Sequence, residues 1–228
     1  MTDLQQELSS KEVFRHFPGE ELSRLVDWSL SRKISRREYL CHQGEIWPYI
    51  LFLEAGQLSW SMLSSGGKVH QLFKINTGEI FWAHSFFDDQ PMPGSLKADK
   101  TVLAHLWSKD VMLPLLMKYP KAMWDIPKKL TSTMRNAREI IYSLAFQPVA
   151  SRLAGFLLDN LESSQYDSIE REMTLEEIAS VLATSAEVVC RLLYQFQADG
   201  ILKITRTQIS FEDQTALEKL QTLSRRNL

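Results

Sequence analysis

Residues 173–211 constrain the fold of this chain more than any other stretch, because apolar spacing, capping residues and turn residues all change there in a fixed succession. Leu175, Ile178, Ala179 and Leu182 stand at i, i+3, i+4 and i+7, the spacing of one buried helical stripe. Thr174 and Glu177 have the N-cap and N3 spacing of a capping box, which marks the helix start. The turn Ala183-Thr184-Ser185 follows, with Ser185 placed to cap a second helix. That helix repeats the stripe at Val189, Leu192, Leu193 and Phe196. It stops at Asp199-Gly200, where glycine can take the left-handed cap conformation. Two short apolar runs, 201–204 and 208–211, flank the polar tip Thr205-Arg206-Thr207 as the strands of a small hairpin. Two short helices with a tight turn and a trailing hairpin read as a winged helix-turn-helix, whose second helix fits a DNA major groove.

Upstream the period differs. A chain of 228 residues has room for two modest domains. Residues 13–31 read as a short amphipathic helix opened at Pro18, with Leu22, Leu25, Val26 and Leu30 on one side. Residues 49–53 and Gln57–Leu63 are apolar runs separated by Glu54-Ala55-Gly56, and in the second Leu58, Trp60 and Met62 alternate with serines, the two-residue period of a half-buried strand. Ser64-Ser65-Gly66-Gly67-Lys68 turns into a strand over 69–75, and 101–107 is a further strand. Short strands at near-regular spacing predict an antiparallel barrel or jelly roll. From 122 to 145 the period is helical again, with Pro127 expected to bend the first turns. Phe146-Gln147-Pro148 interrupts it, and a new helix runs through 158. The fold class expected is α+β: a sensor barrel over 1–118, a connecting helix and hinge over 119–147, and the winged helix-turn-helix over 148–228.

Composition excludes several classes. An apolar content of 44% and a charged content of 24% are ordinary for a globular chain. No apolar run approaches the roughly 18 residues that span a bilayer, and the N-terminus lacks a signal-peptide pattern, so a cytoplasmic protein without membrane association is expected. Cys41 and Cys190 are too few and too far apart for a disulfide framework or a thiolate metal site. The five histidines show no metal-ligand spacing, so no metal site and no particular cofactor is indicated. Without G-x-S-x-G, P-loop or G-x-G-x-x-G signatures, the chain does not read as an enzyme. Residues 148–228 hold eight Lys/Arg against twelve Asp/Glu, a net of −4, which runs against a nucleic-acid role. The acidic residues concentrate in 159–172 and the first turn after Thr174, whereas the second helix and hairpin carry Arg191, Lys203 and Arg206.

The order of barrel, long helix and winged helix resembles the CRP/FNR superfamily of bacterial transcription regulators, and the resemblance covers residues 17–211. Its most specific pieces are Ser185-Ala186-Glu187-Val188-Val189-Cys190-Arg191, close to the family's S-x-E-x-V-x-R recognition element, and Leu144-Ala145-Phe146 at the hinge. Gly44-Glu45, Gly56 and Gly78-Glu79 match barrel positions. The resemblance implies a homodimer paired through Leu130, Met134, Ala137, Ile141 and Leu144. It implies double-stranded DNA with an inverted repeat, RNA polymerase and a small-molecule effector as partners. DNA contact would fall to Thr174, Ser185, Ala186, Glu187, Cys190, Arg191 and Arg206, with Arg191 reading guanine and Glu187 cytosine; a surface Glu–Arg pair is the alternative for those two.

The sequence departs from the family where an effector would bind. Relatives that bind cyclic nucleotides carry Arg-Ser or Arg-Thr where Pro91-Met92 stands here, and neither Pro nor Met can replace a bidentate guanidinium on a cyclic phosphate; a Thr that contacts the nucleotide base in relatives corresponds to Ala137. An effector other than cyclic AMP is therefore expected. Trp60, Gly78, Glu79, Trp82, Phe86, Phe87, Met134 and Ala137 are the candidate pocket, and the aromatic members fit plain barrel core equally. His84 beside Trp82 and Phe86 leaves a haem-responsive regulator open, and Cys190 a redox-responsive one. The acidic C-terminal part leaves open a winged helix that docks on protein.

Overall fold

A computed structural model describes residues 3–162, 168–171 and 173–222. The chain divides into two compact units, one of residues 1–67 and 71–136, the other of residues 68–70 and 137–228. The first unit holds the strands β1 (Leu30–Ile34), β2 (Tyr39–Cys41), β3 (Tyr49–Ala55), β4 (Gln57–Leu63), β5 (Val69–Asn76, apart from its first two residues), β6 (Ile80–Trp82), β7 (Ser95–Ala98) and β8 (Val102–Ser108). They form two four-stranded antiparallel sheets, ordered β1-β8-β3-β6 and β2-β7-β4-β5. Leu51, Leu53, Leu58, Trp60, Phe81, Leu96 and Leu106 fill the space between them.

The first sheet is covered on its other face as well. Ile50, Phe52, Trp82 and Trp107 pack against α1 (Asp3–Ser9), α2 (Gly19–Asp27), α3 (His84–Asp88), α4 (Lys109–Lys118) and the start of α5 (Pro120–Phe146). A strand buried on both faces has no polar positions to alternate with, which is why β3 reads YILFLEA. Trp107 Nε1 donates to the Leu25 carbonyl at 2.7 Å and ties α2 to the sheet. At the foot of α5, the Asp125 carboxylate, 5% exposed, accepts from Lys128 (2.9 Å) and Arg15 (3.0 Å) and meets His16 Nε2 at 2.8 Å. Lys128 and His16, and then Arg15, hold its carboxyl well below the usual carboxylate range.

The second unit contains α6 (Val149–Glu162), β9 (Ser168–Glu170), α7 (Leu175–Val181), α8 (Ala186–Ala198), β10 (Leu202–Ile204), β11 (Gln208–Phe211) and α9 (Gln214–Thr222). Its core joins Leu153 and Leu157 to Ile178, Val189, Leu193, Phe196, Ile209 and Leu217. Leu192 is half-buried at the margin of that core.

Two expectations are corrected. The helix expected over 13–31 breaks into a 3-10 turn (Phe14–His16) and α2, because Pro18 starts a new helix and Leu30 pairs with Leu106 in the sheet. The acidic segment 159–172 is not all loop. Its first residues end α6, and Ser168–Glu170 is a strand with Ile169 opposite Ile209; residues 163–167 and 172 lie outside the described residues. No helix among the described residues is long and apolar enough to cross a membrane.

Candidate nucleic-acid interface

Local capping builds the helix-turn-helix. Thr174 Oγ1 accepts from the Glu177 N–H at 3.2 Å, and Glu177 Oε2 accepts from the Thr174 N–H at 2.8 Å, so both halves of the capping box are made. The turn closes through the Thr184 N–H on the Ala179 carbonyl, 3.0 Å, with Ala183 at φ 50. A Cβ at that φ crowds the following carbonyl, which makes this residue a local cost. Ser185 caps α8 by accepting from the Val188 N–H at 3.4 Å, and Gly200, at φ 72, follows its C-cap.

The outer face of α8 carries Glu187 and Arg191, both exposed. The two are not paired with each other, and Arg191 makes no ion pair among the described residues. Glu187 lies 3.5 Å from the Ser185 hydroxyl. Cys190 and Ala186 are half-buried. Arg206 stands exposed at the tip of the β10–β11 wing, where the Thr205 N–H donates to the Gln208 carbonyl at 2.9 Å. Gln197 Oε1 accepts from the Ile204 N–H at 3.0 Å and fastens α8 to the wing.

Two residues that sequence reasoning passed over belong to this face. Tyr194, 66% exposed, lies one turn beyond Arg191 on the stripe that begins at Glu187. That spacing was visible in the sequence. Arg171 enters from the strap before α7, with its N–H on the Thr207 carbonyl (2.8 Å) and Nη1 on the Thr205 carbonyl (3.0 Å). No local signal marked it inside an acidic segment. Cys190, Tyr194, Gln197, Arg171, Thr205 and Arg206 line a cleft of about 310 Å³ between α8 and the wing.

The residues proposed as an effector pocket do not converge. Phe81 and Trp82 are neighbours on one strand and face opposite ways. Trp60, 3% exposed, lies in the barrel interior with Phe81, stacked on His84 at 5.6 Å between centroids. Trp82 and Phe86 lie in the helix-covered core on the other side of the sheet, and Phe87 is exposed beside Phe86. Trp60 therefore shares no wall with Trp82 and Phe86. His84 belongs beside Trp60, and burial pulls its imidazole below the ordinary histidine range. Met92 is fully buried in the barrel. A Cβ on Gly94 would stand 2.9 Å from the Trp60 ring, so glycine is needed for that approach. Gly78 sits in a turn closed by Glu79 Oε2 accepting from the Asn76 N–H, 2.7 Å. On α5, Met134 is 72% and Ile141 67% exposed in the single chain, and Leu130, Ala137 and Leu144 are exposed too. Of the thiols, burial pushes Cys41 up to about 12.

Residues 31–119 match the family described as a cyclic nucleotide-binding domain, and residues 151–220 match the Crp-like helix-turn-helix domain. The cyclic AMP receptor protein of Thermus thermophilus is 22% identical over 209 residues, covering 91% of this chain and 95% of its own. The anaerobic regulatory protein of Haemophilus influenzae is 24% identical over 210 residues, covering 88% and 80%. Among solved structures, a transcriptional regulator of the crp/fnr family from Eubacterium rectale superposes with a TM-score of 0.78 at 18% identity, over 92% of this chain and 98% of its own. The c-di-GMP-responsive global regulator CLP of Xanthomonas campestris gives 0.76 at 17% identity, over 86% and 100%. With both family domains present in this order, the chain belongs to the CRP/FNR family of DNA-binding transcription regulators.

Proposed function

We propose that the chain acts in the cytoplasm as a homodimer that binds an inverted repeat in duplex DNA and works with RNA polymerase. The observation that carries this reading is the outer face of α8, where Glu187 and Arg191 stand exposed and unpaired with each other. Arg191 has the geometry to donate to guanine O6 and N7, and Glu187 to accept from cytosine N4. Thr174, Ser185, Ala186 and Cys190 flank that pair, and Arg206 reaches the backbone from the wing. Two-fold symmetry sets half-site centres about 10 base pairs apart. Selection of bound sites from a random duplex library tests the reading: inverted repeats with a G·C pair in each half-site are expected, and asymmetric sites would overturn it.

Dimerisation is assigned to the α5 stripe Leu130, Met134, Ala137, Ile141 and Leu144. The working division is a sensor over 1–118, a dimerisation helix and hinge over 119–147, and a DNA-binding domain over 148–228. Water-exposed apolar residues at alternating three- and four-residue spacing are what parallel helix pairs bury. Replacing Met134 and Ile141 together by Glu should give monomers in sedimentation; a dimer would remove α5 from the interface.

The effector is proposed to be something other than cyclic AMP, because Pro91-Met92 stands where an Arg-Ser or Arg-Thr pair would grip a cyclic phosphate, and Met92 is buried in the barrel core. Calorimetry at millimolar cyclic AMP or cyclic GMP should give no saturable heat. The relatives are named for different signals, cyclic AMP in one and c-di-GMP in another, so kinship selects none for this chain.

A further inference from the structure

The cleft between α8 and the wing adjoins the base-reading face and has Leu175, Leu193 and Ile204 in its lining beside polar groups. Two guanidiniums, Arg171 and Arg206, line it, and neither makes an ion pair among the described residues. Opposite them stand the Tyr194 phenol and Gln197, whose amide oxygen is already engaged by the Ile204 N–H. The Arg171 backbone N–H donates to the Thr207 carbonyl at 2.8 Å, and its guanidinium is held by one bond, Nη1 donating to the Thr205 carbonyl at 3.0 Å, on the turn that also carries Arg206.

We infer that this cleft is a clamp for a backbone phosphate of duplex DNA, in which Arg171 and Arg206 supply charge and Tyr194 a neutral hydrogen bond. The inference rests on the DNA-binding reading above. A guanidinium fork matches the oxygens of a phosphodiester, and anchoring it beforehand reduces the freedom lost on binding. Tyr194 continues the stripe of Glu187 and Arg191, so a helix seated in the groove along those residues brings its next turn and the wing to the sugar-phosphate rail. A phosphate contact positions without selecting sequence, which separates the role of Arg171 from that of Arg191.

The test uses the full-length protein, fluorescence anisotropy on a mixed-sequence duplex, and salt from about 50 to 200 mM. Arg171→Ala should weaken every sequence alike and flatten the salt slope by about one unit. Arg171→Lys should keep the slope, and Tyr194→Phe should weaken binding with the slope unchanged. Iodoacetamide modification of Cys190 is an internal gauge, since Cys41 is buried with its thiol pushed up to about 12. If duplex protects Cys190 while Arg171→Ala retains the wild-type slope and affinity, the clamp is overturned and DNA binding stands. A changed sequence preference in Arg171→Ala likewise overturns it. Should Arg171→Ala not fold, Tyr194→Phe and Arg171→Lys decide, and unchanged affinity in both rejects the clamp. A wild-type protein that binds no duplex at the lowest salt defeats the DNA-binding reading and the clamp with it.

Discussion

The barrel interior around Trp60 and the cleft beside α8 each combine an aromatic side chain, a turn and a neighbouring strand. In the barrel, Trp60 is 3% exposed and is hemmed in by Phe81, His84 and Gly94. In the cleft, Tyr194 is 66% exposed and its neighbours are two guanidiniums without ion pairs among the described residues. The first region is constrained by volume, and its residues answer to packing. The second is constrained by charge and hydrogen bonding, and its residues answer to a partner. A change in one should therefore register as stability, and a change in the other as binding.

The sharpest way to break this contrast is Trp60→Ala. Removing a buried indole is expected to cost about 3–5 kcal/mol in denaturant unfolding, with the salt dependence of DNA binding by the folded fraction unchanged. A loss under about 1 kcal/mol would mean that the ring is not core and that the barrel can admit a ligand. Arg191→Ala should do the opposite. Stability should stay within about 0.5 kcal/mol, while binding loses about 1–3 kcal/mol per half-site and selection relaxes at one guanine. Binding preferences identical to wild type would return Arg191 to the solvated surface.

Ala183→Gly probes the backbone between the two helices. Relief of the left-handed alanine at φ 50 should raise stability by about 1 kcal/mol, seen as a higher denaturation midpoint. A decrease would show that the methyl group's packing outweighs the strain.

The smallest effect at neutral pH concerns acid. The folded-state pKa of Asp125 lies below its ordinary 3.8, so the contribution of its ion cluster is complete above about pH 5 and is lost as pH falls below about 4. Asp125→Asn should remove that part of the acid dependence. A wild-type acid limb that persists in the variant would assign it to other carboxylates.

Legibility from sequence followed the range of the signal. The capping box at Thr174 and the stripes of α7 and α8 are written within a few residues of each other, and the structure contains them as read. β1 was missed because LSRKI exposes all but Ile34 and shows no alternation. β9 was missed because its three residues are a strand only through β11, about forty positions away. The scattering of the pocket residues has the same origin. Without β6 recognised as a strand, nothing revealed that Phe81 and Trp82 point to opposite cores. Arg171 became visible only when the structure brought it to the wing turn.

The three-stranded order β10-β11-β9 gives the wing a property that a bare hairpin lacks. An isolated two-stranded ribbon is marginal in water and is ordered by whatever it meets. Here β11 is paired on both sides, with Ile209 between Ile204 and Ile169, and the turn is sewn to Arg171 and to Gln197 of α8 through Ile204. The entropy of ordering this tip is spent during folding. Its encounter with a nucleic acid should therefore be close to rigid docking, with temperature dependence set by the surface covered and the ions released.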